Sequence, residues 1–260
     1  MNIKYIIIGI LLLVLFKYRI QENLKIIDLK KTGYYRCNKY KTGVITKEVS
    51  KERGLKKNND DWFLYYPCGY TNAENEIKTI KILNKDQKIF MIDGCDNIVS
   101  KLMLWYILEK TYGRERASKI FPQSFLSYKS EDKKLFWSFY KKKMEKNKNS
   151  LFIIKNDKQR QEGINLLRKK KDIVKLISKG RYIIQEYLQD PFTIIGHKIN
   201  LRYYLLIVCK PKKLEAYLHR NGFVYYTAKK YEKDSIDFHK NITSGYVDRK
   251  IYETNPLTVK

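Results

Sequence analysis

The apolar and polar positions of this chain change period several times along its length. Residues 5–16 (YIIIGILLLVLF) form an uncharged run between Lys4 and Lys17. Residues 89–92 (IFMI) read as a short buried strand, and Asp93-Gly94 after them as a turn. Ile98, Leu102, Trp105 and Leu108 then fall at helical spacing, which predicts a helix stopping at Gly113. A second helix is expected to open at Ser130 as N-cap, with Glu131 and Asp132 in its first turn and lysines collecting at its end. Residues 151–155 (LFIIK) read as a strand, followed by a polar loop to Gly163 and a helix with Ile164, Leu167, Val174 and Ile177 inward, closed by Gly180. Four strand-like runs follow, at 182–185, 198–208, 214–220 and 223–227, with Asn221-Gly222 as a hairpin signal between the last two. No internal repeat is visible.

A length of 260 residues accommodates two or three small domains with a buried core. Hydrophobic content of 43% against 31% charged residues excludes a disordered chain. The formal net charge of +27 changes the picture more. It fits attraction to nucleic acid, anionic lipid or acidic protein tails, and equally the lysine-rich bias of an AT-rich genome. No aromatic-basic pattern of an RNA-binding module accompanies the charge, so a nucleic-acid partner is not expected. The four cysteines form no CxxC pair and the three histidines are scattered, which argues for reduced thiols and against a zinc site.

The run at 5–16 is short against the ~20 residues of a full membrane span. A signal-anchor, a signal peptide and a buried helix all fit it. Lys17, Tyr18 and Arg19 stand where a small-residue cleavage site would be, which favours an anchor with the remaining chain in the cytosol.

Candidate chemistry lies between Lys155 and Thr243. Lys155 ends a strand and precedes a polar loop closed by Gly163, an arrangement that lays backbone N–H groups and a cation against phosphate or is simply a surface turn. Alternation puts Lys198, Asn200 and Arg202 on one strand face, with Leu201, Tyr203, Leu205 and Ile207 on the opposite, core side. Two cations and an amide on one face call for an anionic partner or open water. Arg220, beside the Asn221-Gly222 turn, is expected to converge on the same pocket, and such a cluster suits phosphate or carboxylate because guanidinium groups pair bidentately with either.

The string YIIQEYLQDPFTIIGHKINLRYYLLIV at 182–208 resembles the signature of the tubulin tyrosine ligase-like family, a V-Q-K-Y-I hinge followed by a G-x-K-x-D-L-R strand. In order along the chain, Lys101 in IVSKLMLW, FPQSF at 121–125, FIIK and QRQEGI at 152–155 and 159–164, YLHRNG at 217–222 and NITSGY at 241–246 are similar to the family's further motifs. The whole is also similar to divergent members carried by giant viruses, a resemblance that implies a virus-infected host cell as one setting for a membrane-associated chain with its main body in the cytosol.

The resemblance implies an α+β, ATP-grasp-like fold, with two mixed α/β lobes around a nucleotide cleft after a short N-terminal apolar helix. The expected segments are an apolar anchor at 1–19, an N-terminal domain at 20–95, a central lobe at 96–184 and an incomplete C-terminal lobe at 185–260. It implies ATP as cofactor, with Lys101 and Lys155 on its phosphates and Gly163 letting the loop close. Gln185, Glu186 and Leu188 would form the adenine hinge, with Lys198 and Asn200 facing the nucleotide and Thr243 near the phosphates. Arg202 and Arg220 would be the catalytic pair, holding the carboxylate being activated or an acidic protein tail such as that of tubulin or another polyglutamate-bearing protein. Three departures stand out. Asn200 replaces the family's Asp, Asn241 and Ser244 replace the His and Asn of H-L-T-N, and the Mg²⁺-binding E-x-N is expected beyond Lys260. Glu253-Thr254-Asn255 spells that motif by chance, too soon after Thr243. The implied activity is an ATP-dependent carboxylate-amine ligase working through an acyl phosphate. The alternative is an inactive, membrane-anchored module that binds acidic tails or nucleotide without turnover.

Overall fold

The structure is a computed structural model that describes residues 33–36, 43–58, 62–67, 73–158, 162–243 and 248–259. The apolar segment at 1–19 lies outside these, and no helix among the described residues is long and apolar enough to cross a membrane. The chain divides into two compact units, Met1–Cys95 and Asp96–Lys260.

The first unit carries a parallel sheet in the order β2-β1-β3-β4, from β1 (Gly33–Arg36), β2 (Lys56–Lys57), β3 (Leu64–Tyr66) and β4 (Lys88–Ile89), with helices α1 (Gly43–Glu52) and α2 (Ala73–Thr79) between strands. The run IFMI contributes only its first residue to β4, and Phe90 is exposed, so the expected buried strand is a short sheet-edge strand instead.

The second unit opens with α3 (Asp96–Val99), α4 (Lys101–Tyr112) and α5 (Arg114–Ile120). The single predicted helix is broken because Ser100 leaves the helical conformation and accepts from the Met103 N–H, capping α4; Gly113, at φ 76, ends it. Leu102 and Trp105 are buried as expected, whereas Ile98 is exposed on α3. Next come β5 (Ser124–Leu126), α6 (Ser130–Lys146), β6 (Phe152–Lys155), β7 (Ile164–Leu167), α7 (Lys170–Ile177) and β8 (Ile183–Glu186). Their sheet has the order β5-β8-β6-β7, antiparallel throughout. The α6 N-cap is Lys129, not Ser130, and its first-turn Asp132 is buried. Asp132 accepts from the Leu126 N–H at 2.6 Å and pairs with Arg114 at 2.7 Å, tying α5, β5 and α6 together. The expected helix from Ile164 is a strand followed by a shorter helix. Residues 164–167 pair with β6, Leu166 alone among them is fully buried, and α7 buries Ile173 while Val174 is exposed.

Successive side chains of β8 and β6 point to opposite faces of this sheet. Ile184, Phe152 and Ile154 pack with Phe125, Phe136 and Ile173. Ile183 packs the other way, with Leu102, Trp105, Ala117 and Leu126. The first core stacks Phe136 on Phe125 and Phe152, each at 5.5 Å between ring centroids. Lys155 and Gln185 therefore share the face opposite the Phe136 core, along with Ile153 and Tyr187.

The remainder forms a second antiparallel sheet, in the order β14-β13-β10-β9, and a separate β11–β12 ribbon. The strands are β9 (Thr193–Ile194), β10 (His197–Arg202), β11 (Leu205–Lys210), β12 (Lys213–Leu218), β13 (Gly222–Tyr226) and β14 (Thr258–Val259), with short helices α8 (Phe238–Asn241) and α9 (Ile251–Thr254) before the last. The predicted strand at 198–208 is interrupted at Tyr203-Tyr204, after which the chain leaves β13 for β12. The predicted core side of that strand is wrong: Leu201, Tyr203 and Leu205 are exposed and Ile207 is half-buried. Asn221-Gly222 does not close a hairpin, because β12 pairs with β11 and β13 with β10. The tight hairpins are elsewhere. Ile195 and Gly196, both at positive φ (49 and 80), join β9 to β10 as a type I′ turn requires, and Pro211-Lys212 joins β11 to β12.

Candidate nucleotide site

The C-terminal end of β6 aims Lys155 along the sheet face that also carries Gln185. The Lys155 ammonium donates to Gln185 Oε1 at 2.8 Å, and Gln185 Nε2 donates to the buried Ser124 hydroxyl at 2.7 Å. Burial pulls the Lys155 pKa down to about 8, and the Lys101 ammonium adds to the fall. Lys198 follows the β9–β10 turn. Its backbone is fixed by Thr227, whose N–H donates to the Lys198 carbonyl at 3.0 Å. The Lys198 ammonium donates to Tyr187 Oη at 2.8 Å and lies 4.4 Å from the centre of that ring. Burial lowers its pKa to about 8 as well, with Lys155 as the second cause. Neither lysine is ion-paired among the described residues. Three predicted cations, Lys101, Lys155 and Lys198, are thus brought together.

The loop after β6 is anchored on the start of α4. Asp157 accepts from the Ser100 hydroxyl at 3.0 Å and from the Leu102 N–H at 3.3 Å, an acidic side chain at a helix N-terminus. Lys101 Nζ donates to the Lys158 carbonyl at 2.6 Å. Gly163 closes the loop at φ 72, where a Cβ would overlap the Asn156 side chain. Gln159, Arg160 and Gln161 lie outside the described residues, as does Ser244.

The other predicted residues are placed differently. Glu186 alternates away from Gln185 and pairs with Lys143 of α6, so its side chain is not at the lysine face. Leu188 and Asn200 are exposed, and Thr243 is buried. Arg202 shares a strand face with Lys198, about 13 Å farther along at the usual rise per residue. It donates to Tyr225 Oη at 3.2 Å and stacks on that ring. Arg220 is exposed between β12 and β13 with no polar partner among the described residues, two positions before Gly222, whose backbone lies against the Arg202 carbonyl. Glu253 is exposed on α9 and Asn255 is buried beyond it.

Two residues of this region were missed. Tyr187 is buried and its hydroxyl donates to Asn241 Oδ1 at 2.8 Å; the alternation that selects Gln185 also selects Tyr187. Asn241, read only as a departure from a motif, is 1% exposed and donates to the Ser235 and Asp237 carbonyls at 2.9 and 2.8 Å.

Residues 80–245, about two thirds of the chain, match the Tubulin-tyrosine ligase family. The chain belongs to that family. Its mixed α/β sheets accord with the ATP-grasp-like fold expected of a member. It is 24% identical to tubulin monoglutamylase TTLL4 of Mus musculus over 229 residues, covering 85% of this chain and 18% of that protein. It is 27% identical to tubulin polyglutamylase TTLL6 of Mus musculus over 197 residues, 74% of this chain and 22% of the other. Tubulin polyglutamylase TTLL7 of Homo sapiens is 32% identical over 122 residues, 46% of this chain and 13% of that protein. The chain therefore matches less than a quarter of the length of each of these relatives. The relatives named here are ligases, which supports the general enzyme class.

Family members use Mg²⁺ with ATP. Among the described residues, no group of three or more His, Cys, Asp or Glu side chains is arranged to hold a metal.

Proposed function

We propose that this chain binds ATP on the face shared by Lys101, Lys155 and Lys198 and serves an ATP-dependent ligation of an amino acid onto an acidic protein tail. The observation that carries the reading is the pair of partly buried ammonium groups, Lys155 and Lys198, each held by a neutral acceptor and each depressed to about 8. Like charges gathered with no ion pair among the described residues suit a polyanion, and a triphosphate supplies the missing charge. The Gly163 loop borders this face from the end of β6. The names of the relatives point to glutamate as the amino acid and tubulin as the acceptor. Exposed Arg202 and Arg220, on a chain of net charge +27, would draw such a tail from the cytosol. In the reaction, a carboxylate oxygen attacks the γ-phosphorus, ADP leaves, and an amine displaces phosphate from the acyl phosphate to form the amide. The chain's lysines would neutralise phosphate charge in that sequence.

Calorimetry with ATP tests the binding step. Lys155→Met and Lys198→Met should each weaken ATP at least tenfold, since a hydrogen bond to a charged group contributes about 1.5–3 kcal/mol. Wild-type affinity in both variants refutes the site. Incubation with ATP, Mg²⁺, radiolabelled glutamate and tubulin tests the ligation; binding of ATP with no incorporated label favours a non-catalytic binding module.

A further inference from the structure

We infer that Tyr187 and Asn241 form a buried positioning pair that aims the Lys198 ammonium at its anionic ligand. The inference rests on the nucleotide reading above and adds two residues to it.

The hydrogen bonds run in one direction. Lys198 Nζ donates to Tyr187 Oη at 2.8 Å, and the Tyr187 hydroxyl spends its own proton on Asn241 Oδ1 at 2.8 Å. Asn241 cannot turn its amide around. Its Nδ2 is committed to the Ser235 and Asp237 carbonyls, so only Oδ1 is left to accept. The phenol is thereby fixed as a donor toward Asn241 and an acceptor toward Lys198. Burial, with Tyr231 as the second cause, pushes the Tyr187 pKa well above its ordinary value and keeps that proton in place. Tyr187 and Asn241 are 6% and 1% exposed, so water does not compete for these groups.

An ammonium has three donors and a flexible stem. One donor tied to Tyr187, with the charge over the same ring, leaves two for a ligand and restricts the stem to one sector. The charged and titratable groups around it are few. Lys155 of β6 faces it and Tyr187 follows β8, with Lys101 of α4 acting on Lys155 and Tyr231 on Tyr187. A small amide where the family motif has His still closes the chain of bonds, because Asn offers one acceptor and two donors in a fixed plane.

The test compares the wild-type chain with Tyr187→Phe, Asn241→Ala, the double variant and Lys198→Met. Tyr187→Phe retains the ring and removes only the hydroxyl, so it remains informative if Asn241→Ala fails to fold. ATP affinity is measured by calorimetry from pH 6.5 to 9, and the Lys198 midpoint by NMR of ¹³C-labelled lysine without nucleotide. Tyr187→Phe should weaken ATP about tenfold at neutral pH, the loss of one charge-assisted bond. It should also move the Lys198 midpoint about one unit below that of wild type. Asn241→Ala should shift both readouts in the same direction, and the double variant should be no worse than Tyr187→Phe. A purely structural role would leave the Lys198 midpoint unmoved. If Tyr187→Phe matches wild type in affinity and midpoint while Lys198→Met loses ATP, the positioning pair is refuted and the nucleotide site stands. If wild type binds no ATP, the nucleotide reading fails and this inference with it.

Discussion

Binding of ATP at pH 8 should draw protons from solution. Lys155 and Lys198 each have a pKa near 8 in the free chain, so each is charged only about half the time at that pH. A triphosphate favours the charged form of both, and the bound state holds both protons. Uptake should therefore reach about one proton per chain at pH 8, about 0.2 at pH 7 and about 1.8 at pH 9. Affinity should fall up to ~10-fold per lysine between pH 7 and pH 9, or ~100-fold for the two together. Stability of the free fold runs the opposite way. Both folded-state pKa values lie below the ordinary 10.5, so the unfolded chain binds more protons between pH 8 and 10.5 and the fold gains stability as pH rises through that window. Calorimetry at pH 8 in two buffers of different ionisation heat measures the uptake directly. Lys155→Met or Lys198→Met should halve it. An ATP-binding enthalpy independent of buffer, after allowance for the nucleotide's own titration, would refute the argument that these lysines are the phosphate ligands.

Asp132→Ala should cost about 1–3 kcal/mol in a denaturant titration, because it leaves the buried Leu126 N–H without its acceptor, while Arg114 retains Glu109 and the Ser124 carbonyl. Gly163→Ala should weaken ATP binding and lower the unfolding free energy by about 1–2 kcal/mol from the strain at φ 72, with the Asn156 side chain forced to move as well. Gln185→Glu places a carboxylate at the Lys155 ammonium; it should raise the melting temperature and abolish ATP-induced stabilisation, read in one thermal-shift series.

Elements with one dominant period were legible in the sequence, and mixed ones were not. The Phe-rich helix α6 and strands β6 and β8 stand near their expected positions, because apolar side chains at helical or alternating spacing have one way to reach a core. Ile164 and Leu167 are three apart and so mimic a helix, but four residues suffice to pair with β6, and the ladder decided the conformation. The strand at 198–208 reads as continuous because nothing local signals the change of partner at Tyr203. The lysines of the site were visible as isolated cations within apolar strands. Tyr187 and Asn241 were not, because an aromatic and an amide in such surroundings look like filler until their hydrogen-bond partners, 54 residues apart, are known. The hairpin expected at Asn221-Gly222 is absent for a related reason: β12 pairs with β11 and β13 with β10, which the local turn signal does not reveal.

The neutral acceptors on the two lysines show how the proposed binding site is compatible with a folded chain. Partly buried ammonium groups beside each other oppose folding through desolvation and repulsion together. A carboxylate at Gln185 or Tyr187 would relieve both terms and would also fill the site with its own negative charge. An amide and a phenol do neither. They satisfy one donor on each ammonium, which keeps the side chains ordered, and leave the positive charge uncancelled. Ordering without neutralisation is what an anion site needs, since a ligand then meets oriented donors and does not have to displace a resident carboxylate. The free chain carries the cost as lowered pKa values and as stability that improves when the lysines discharge. Those two signatures and the proposed affinity for polyanions follow from one arrangement, so a substitution that removes any one of them should remove the others.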